Sequence, residues 1–184
     1  MIIFILILVI ILILYITKDS NSIPKKIWTF NKINKYKDYE ITVLTKKNFF
    51  NYINIPVEIS SHPNFNLHFS DLVRIYAMAE FGGIWTDSDI PSFQMFPGYE
   101  FSGITKKGVL QKSFFVCNKG SNFVKLWRDE FIKIASFPSV EKYVESLERD
   151  TTVENMENVL ILSAQKVLET YPKSSLIFTE LQLI

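Results

Sequence analysis

The hydrophobic pattern opens on an unbroken apolar run, Ile2 to Ile16, which Met1 and Thr17 extend. No polar face interrupts it, so it lacks the one-sided stripe of a surface helix. Crossing a bilayer takes about 20 residues, with roughly 17 as the lower bound. No charge precedes the run and no small-residue cleavage site follows it, as they would in a secretory signal peptide. The expectation is an uncleaved transmembrane signal anchor at 1–17 and a polar linker at 18–22, with a single domain from 23 to 184.

Beyond the linker the pattern changes period repeatedly. Ile23 to Phe30 reads as a first strand, with Pro24 at its start, where a missing N–H is harmless. Asn31 to Lys37 is loop-like. Tyr39 to Thr45 is rich in β-branched residues and reads as a second strand. Lys46 to Ile53 suggests a short amphipathic helix with Phe49, Phe50 and Ile53 inward. Leu67 to Phe81 carries Leu72, Ile75, Tyr76 and Ala79 at helical spacing, with Ser70 or Asp71 as a cap. Gly82 is placed to end that helix. Gly83 to Thr86 then forms a strand, which Pro91 prevents from continuing as a ladder. Phe101 to Thr105 and Ser113 to Asn118 read as further strands. Asn122 to Ala135 is an amphipathic helix with Phe123, Leu126, Trp127, Phe131 and Ile134 inward. Val140 to Leu147 and Val153 to Thr170 read as helices, and Ser175 to Leu183 as a closing strand. Strands alternating with helices define an α/β domain.

Composition narrows the function classes. Twenty basic against nineteen acidic residues leave a net charge of +1, without the basic excess of a nucleic-acid binder. Cys117 is the one cysteine of the chain, so no intrachain disulfide forms. In its apolar strand it reads as an inert buried thiol. His62 and His68 lack the partners of a zinc site, and no glycine-rich phosphate loop is present.

The candidate chemistry sits in Phe69 to Pro91. Asp87 and Asp89 are two apart on a strand end, so both carboxylates point one way and repel unless a cation neutralises them. Magnesium or manganese suits such a pair, taking one or two carboxylates and completing its shell with phosphate and water. The competing reading is a polar turn with one aspartate as a cap. Asp71 and Arg74 are three apart and share a helix face. They are either a surface ion pair of little energetic value or a polar pair turned to the same pocket as the aspartates. The Gly82-Gly83 break would fold the helix back and unite them.

Ser70-Asp-Leu-Val-Arg-Ile-Tyr76 followed by Phe81-Gly-Gly-Ile-Trp-Thr-Asp-Ser-Asp89 resembles glycosyltransferases with a sugar-binding Asp-x-Asp motif. These are the capsular polysaccharide synthesis family, the yeast-type initiating mannosyltransferases and, more distantly, the clostridial glucosylating toxins. Ile23 to Phe30, Asp38 to Thr45 and Ser113 to Ser121 are similar to their opening and later segments. The resemblance implies a GT-A-like nucleotide-sugar-binding fold with a mixed central sheet. It also implies a UDP- or GDP-linked donor, a manganese or magnesium cofactor and a glycan or polysaccharide acceptor. Asp87 and Asp89 map onto metal and diphosphate binding. Asp71 and Arg74 map onto donor-sugar contacts, and Trp85 onto the pocket wall; no catalytic residue is assigned.

The expected activity is metal-dependent transfer of a hexose, with retention of configuration. Two departures favour the alternative of a membrane-tethered, catalytically silent glycan- or nucleotide-sugar-binding protein. Asn31 stands where relatives carry a tryptophan, and the region after the later helix is reduced, so acceptor-binding elements are expected to be reduced with it. The expected location is an endoplasmic reticulum, Golgi-type or other glycan-assembly membrane. Its sidedness stays open, because Lys18, Lys25 and Lys26 follow the apolar run and favour a cytoplasmic domain, whereas relatives face the lumen.

Overall fold

The structure is a computed structural model that describes residues 23–33, 36, 38–87, 99–147 and 159–180, together with Ile5 and Ile7. Six strands form one mixed sheet: β1 (Lys26–Thr29), β2 (Glu40–Val43), β3 (Gly83–Thr86), β4 (Phe101–Lys106), β5 (Val109–Cys117) and β6 (Leu176–Glu180). Their order across the sheet is β2-β1-β3-β5-β4-β6. β1 runs parallel to β2 and β3, β5 is antiparallel to β3 and β4, and β6 is parallel to β4. The described helices are α1 (Val57–Ser60), α2 (Pro63–Asn66), α3 (Phe69–Phe81), α4 (Asn122–Ile132), α5 (Val140–Glu145) and α6 (Val159–Leu168).

Strand alternation sorts the side chains onto two faces. Trp28, Trp85, Phe101, Phe115 and Cys117 join the large core under α3, α4 and α6. Ile27, Ile84, Ile104, Phe114 and Val116 form a smaller cluster with Ile33 on the other face. Trp127 on α4 ties into α6 by donating from Nε1 to the Leu160 carbonyl at 2.7 Å.

The turn from α3 into β3 depends on its glycines. Gly82 has φ +64° and Gly83 φ +101°, a region that side-chain-bearing residues avoid. A Cβ on Gly82 would lie 2.6 Å from the Asn118 backbone, and one on Gly83 would lie 2.5 Å from the Lys26 carbonyl oxygen. The Gly82 carbonyl also accepts from Trp28 Nε1 at 3.0 Å. The elbow is thereby pressed against β1 and against the loop after β5.

Several expected elements differ. α3 starts at Phe69, with His68 at the cap position and no side-chain capping bond there; Ser70 and Asp71 lie inside the first turn. The Asp71 carboxylate is already taken by cations, as described below. Lys46 to Ile53 holds one 3₁₀ turn, Phe49–Asn51, and Phe50 is 64% exposed, because a single turn leaves no continuous inward face. On α4, Leu126 is exposed and Val124 takes its place beside Phe123, Trp127 and Phe131. α5 ends at Glu145, and α6 and β6 span Val159–Leu168 and Leu176–Glu180. Residues 153–158 of the expected last helix and 181–183 of the expected closing strand lie outside the described residues. So do the expected anchor, apart from Ile5 and Ile7, and Asp89. Among the described residues no helix is long and apolar enough to cross a membrane.

Candidate functional site: a charge cluster beyond the strand ends

The parallel strands β1 and β3 end on the same edge of the sheet, and α3 runs back so that its first turn returns to that edge. Three residues of the motif meet there. Arg74 is 3% and Asp71 2% exposed. Arg74 Nη1 donates to Asp71 Oδ1 at 2.6 Å, within α3. Arg74 Nη2 donates to both Asp87 oxygens at 3.0 Å, across from α3 to the end of β3. One guanidinium therefore bridges two carboxylates, as the planar fork of arginine allows. The surface ion pair considered for Asp71 and Arg74 does not occur, since both side chains are buried.

Trp85 is fully buried and braces the cluster from below. Its Nε1 donates to Asp87 Oδ1 at 2.8 Å, and the Arg74 guanidinium carbon lies 4.9 Å from its ring centroid. Phe30 packs edge-on against the same ring at 5.1 Å. Strand alternation explains the contact, because residues 85 and 87 share a face. The Asp87 backbone is pinned on both sides. Its N–H donates to the Ser113 carbonyl at 2.9 Å, and its own carbonyl accepts from Asn31 Nδ2.

Lys112, which the motif does not contain, completes the cluster. Its Nζ lies 2.8 Å from Asp71 Oδ2. The pairing of β4 with β5 shifts between Gly103↔Phe115 and Thr105↔Leu110, so β4 advances two residues while β5 advances five. Such an irregularity re-aims side chains, and Lys112 falls within it. Two carboxylates, Asp71 and Asp87, then face two cations, Arg74 and Lys112. The polar triplet Gln111-Lys112-Ser113 between Leu110 and Phe114 is the one trace of this in the sequence.

His68 stands at the start of α3 beside Asp71 and Lys112. Burial pushes its imidazole below the ordinary value; Asp71 pulls it upward and Lys112 adds to the lowering. Asp71, Ser70, His68 and Lys112 line an open pocket of about 570 Å³ together with Asn64, Leu67, Ser139 and Glu141.

The donor set at Asp87 is compatible with a divalent cation. Oδ1 accepts from both Trp85 and Arg74, whereas among the described residues Oδ2 accepts from Arg74 alone, which leaves it a lone pair. The side chain is 33% exposed, so that lone pair can be reached from solvent. Magnesium and manganese ask for no more than one or two carboxylates from the protein. Among the described residues no group of three or more His, Cys, Asp or Glu side chains gathers as a ready-made metal cage.

In open α/β sheets, ligands bind beyond the carboxyl ends of the parallel strands, and the cluster occupies that position here. The chain belongs to the capsular polysaccharide synthesis protein family, whose pattern matches residues 20–137, more than half of its length. The match runs from before β1 through α4 and so contains the whole cluster, Lys112 included. It stops before α5, α6 and β6. No curated protein and no solved structure matched the chain.

Proposed function

We propose that this protein is a metal-dependent glycosyltransferase of GT-A type. It moves a hexose from a UDP- or GDP-linked donor to a glycan or polysaccharide hydroxyl, with retention of configuration. Membership in a polysaccharide-synthesis family supports the substrate class. The observation that carries the site is the single guanidinium of Arg74 shared by Asp71 and Asp87 at the strand ends.

In this reading Asp71 accepts hydrogen bonds from hydroxyls of the donor hexose, and Arg74 holds Asp71 in place while orienting the sugar. Arg74 Nε is buried without a hydrogen-bond partner among the described residues, an uncompensated donor that a bound oxygen would satisfy. Trp85 keeps the guanidinium and the Asp87 carboxylate in register from beneath. Asp87 and Asp89 hold manganese or magnesium, which supplies Lewis-acid stabilisation of the charge that develops on the departing diphosphate. The tethers on the Asp87 backbone fix where that charge is received, so little reorganisation accompanies transfer. The apolar run at 2–16 anchors the domain to a glycan-assembly membrane.

Calorimetry of the full chain against a panel of UDP- and GDP-sugars, with and without manganese, tests this assignment. Manganese-dependent binding of one donor with release of the nucleotide is expected. Binding without turnover would make the protein a silent sugar-nucleotide receptor, and no binding by any donor would remove the donor site altogether.

A further inference from the structure

Asp71 apart, the residues that line the pocket beside it take no part in the donor contacts above. We infer that it is the acceptor site and that it takes a neutral saccharide; this rests on the transferase reading of the neighbouring cluster.

Its volume, about 570 Å³, falls inside the roughly 300–1,000 Å³ of small-molecule sites. Its walls come from four places in the fold: α2, the start of α3, the irregular part of β5 and the start of α5. Their charge separates the two halves of the reaction. Among the described residues of the lining Lys112 is the one cation, against Asp71 and Glu141. Lys112 is already engaged by Asp71 at 2.8 Å. Glu141 is held ionised by the Ser139 hydroxyl, which keeps its carboxyl below the usual range. A nucleoside diphosphate would meet net negative charge here, so the anionic donor belongs on the Asp87 side, where a cation can be bound.

The remaining lining suits sugar hydroxyls and C–H faces. His68 and the Asn64 side-chain carbonyl offer uncharged polar groups, His68 because burial favours its neutral form; the Asn64 amide nitrogen donates to the Ile134 and Phe137 carbonyls at 2.9 and 3.3 Å. Leu67 is 90% exposed and adds an apolar surface that the core does not use. Neither Arg74 nor Asp87 lines the pocket, while Asp71 does. A saccharide in the pocket would therefore sit next to a hexose held on the Arg74 side, with Asp71 as the shared wall. Lys112 holds Asp71 Oδ2 at 2.8 Å and so fixes this shared wall.

The test is a nuclear magnetic resonance titration of the isotope-labelled full chain in detergent. One arm uses methyl glycosides of glucose, galactose and mannose. The other uses UDP-glucose, UDP-galactose and GDP-mannose with magnesium. Glycosides are expected to shift the His68 imidazole and Asn64 side-chain signals. In Glu141→Gln and in Leu67→Ala, both changes at exposed positions, the ratio of glycoside to nucleotide-sugar affinity should fall at least fivefold. Glycosides that leave those signals unmoved overturn the inference, as does an equal loss of both ligand classes in the variants. Glycoside binding in the pocket with no nucleotide-sugar binding anywhere would retain a saccharide site and refute the transferase reading instead.

Discussion

Arg74 Nη2 contacts both oxygens of Asp87 at 3.0 Å, thirteen residues away in the chain. The contact closes the helix–turn–strand hairpin at its open end, opposite the Gly82-Gly83 elbow. The fold and the candidate chemistry therefore depend on the same side chain.

Removing that side chain should be costly. Arg74→Met leaves Asp71 buried with Lys112 as its remaining cation partner and leaves Asp87 without its fork. Deleting one partner of a buried ion pair typically costs about 3–5 kcal/mol, and both Asp71 and Arg74 are almost fully buried. Urea denaturation should show a loss of that order. Arg74→Lys should recover only part of it, because an ammonium cannot serve both carboxylates in one plane. Full stability in Arg74→Met would mean that the cluster does not hold the hairpin.

The elbow should tolerate no side chain. Gly82→Ala puts a Cβ 2.6 Å from the Asn118 backbone at positive φ, where the neighbour is main chain and cannot swing away. Gly83→Ala meets the Lys26 carbonyl oxygen at 2.5 Å. Each should destabilise by more than about 1 kcal/mol, the scale set when Ala is forced into a glycine conformation. Chemical denaturation of the two variants checks this.

Cys117 should be silent in the native state. It is fully buried, and desolvation, aided by Glu100, pushes its thiol well above the ordinary range. Its thiol also lies 3.5 Å from the Met78 carbonyl. An alkylating reagent at neutral pH should label it only after denaturant is added; rapid labelling of the folded chain would contradict the burial.

His68 should give stability a mild acid dependence. Its folded pKa lies below the ordinary histidine value of 6.5, chiefly through burial, so the unfolded chain binds the proton more readily. Above about 6.5 both states are neutral and His68 contributes nothing. As pH falls below that value, stability drops, and the drop levels off once pH is beneath the folded pKa. Denaturation midpoints at pH 7.5 and 5.5 should differ more for the wild type than for His68→Gln, and equal differences would refute the shift.

Local chemistry made part of this legible in the sequence. The three-residue spacing of Asp71 and Arg74 and the paired glycines anticipate the hairpin, because both act within a few residues of chain. The alternating strands and helices anticipate the α/β class, while the mixed sheet was expected from the family resemblance alone. Lys112 was hidden, since its position follows from a register shift between two strands and leaves only a polar interruption in β5. Phe50 and Leu126 were misplaced because apolar identity does not fix which face a short element presents. Asn31 looked like a missing tryptophan; in the fold it holds the Asp87 carbonyl at the edge of the site.

The central claim is that the carboxylates at the end of β3 serve metal-dependent transfer. The direct test is release of nucleotide from the donor selected by calorimetry, with manganese added or chelated, for the wild type and for Asp87→Asn combined with Asp89→Asn. Asparagine keeps the size of each side chain and removes the charge. Manganese-dependent release by the wild type, lost by at least a hundredfold in the double variant while the chain stays folded, is the predicted result. Equal release by both proteins would contradict the account.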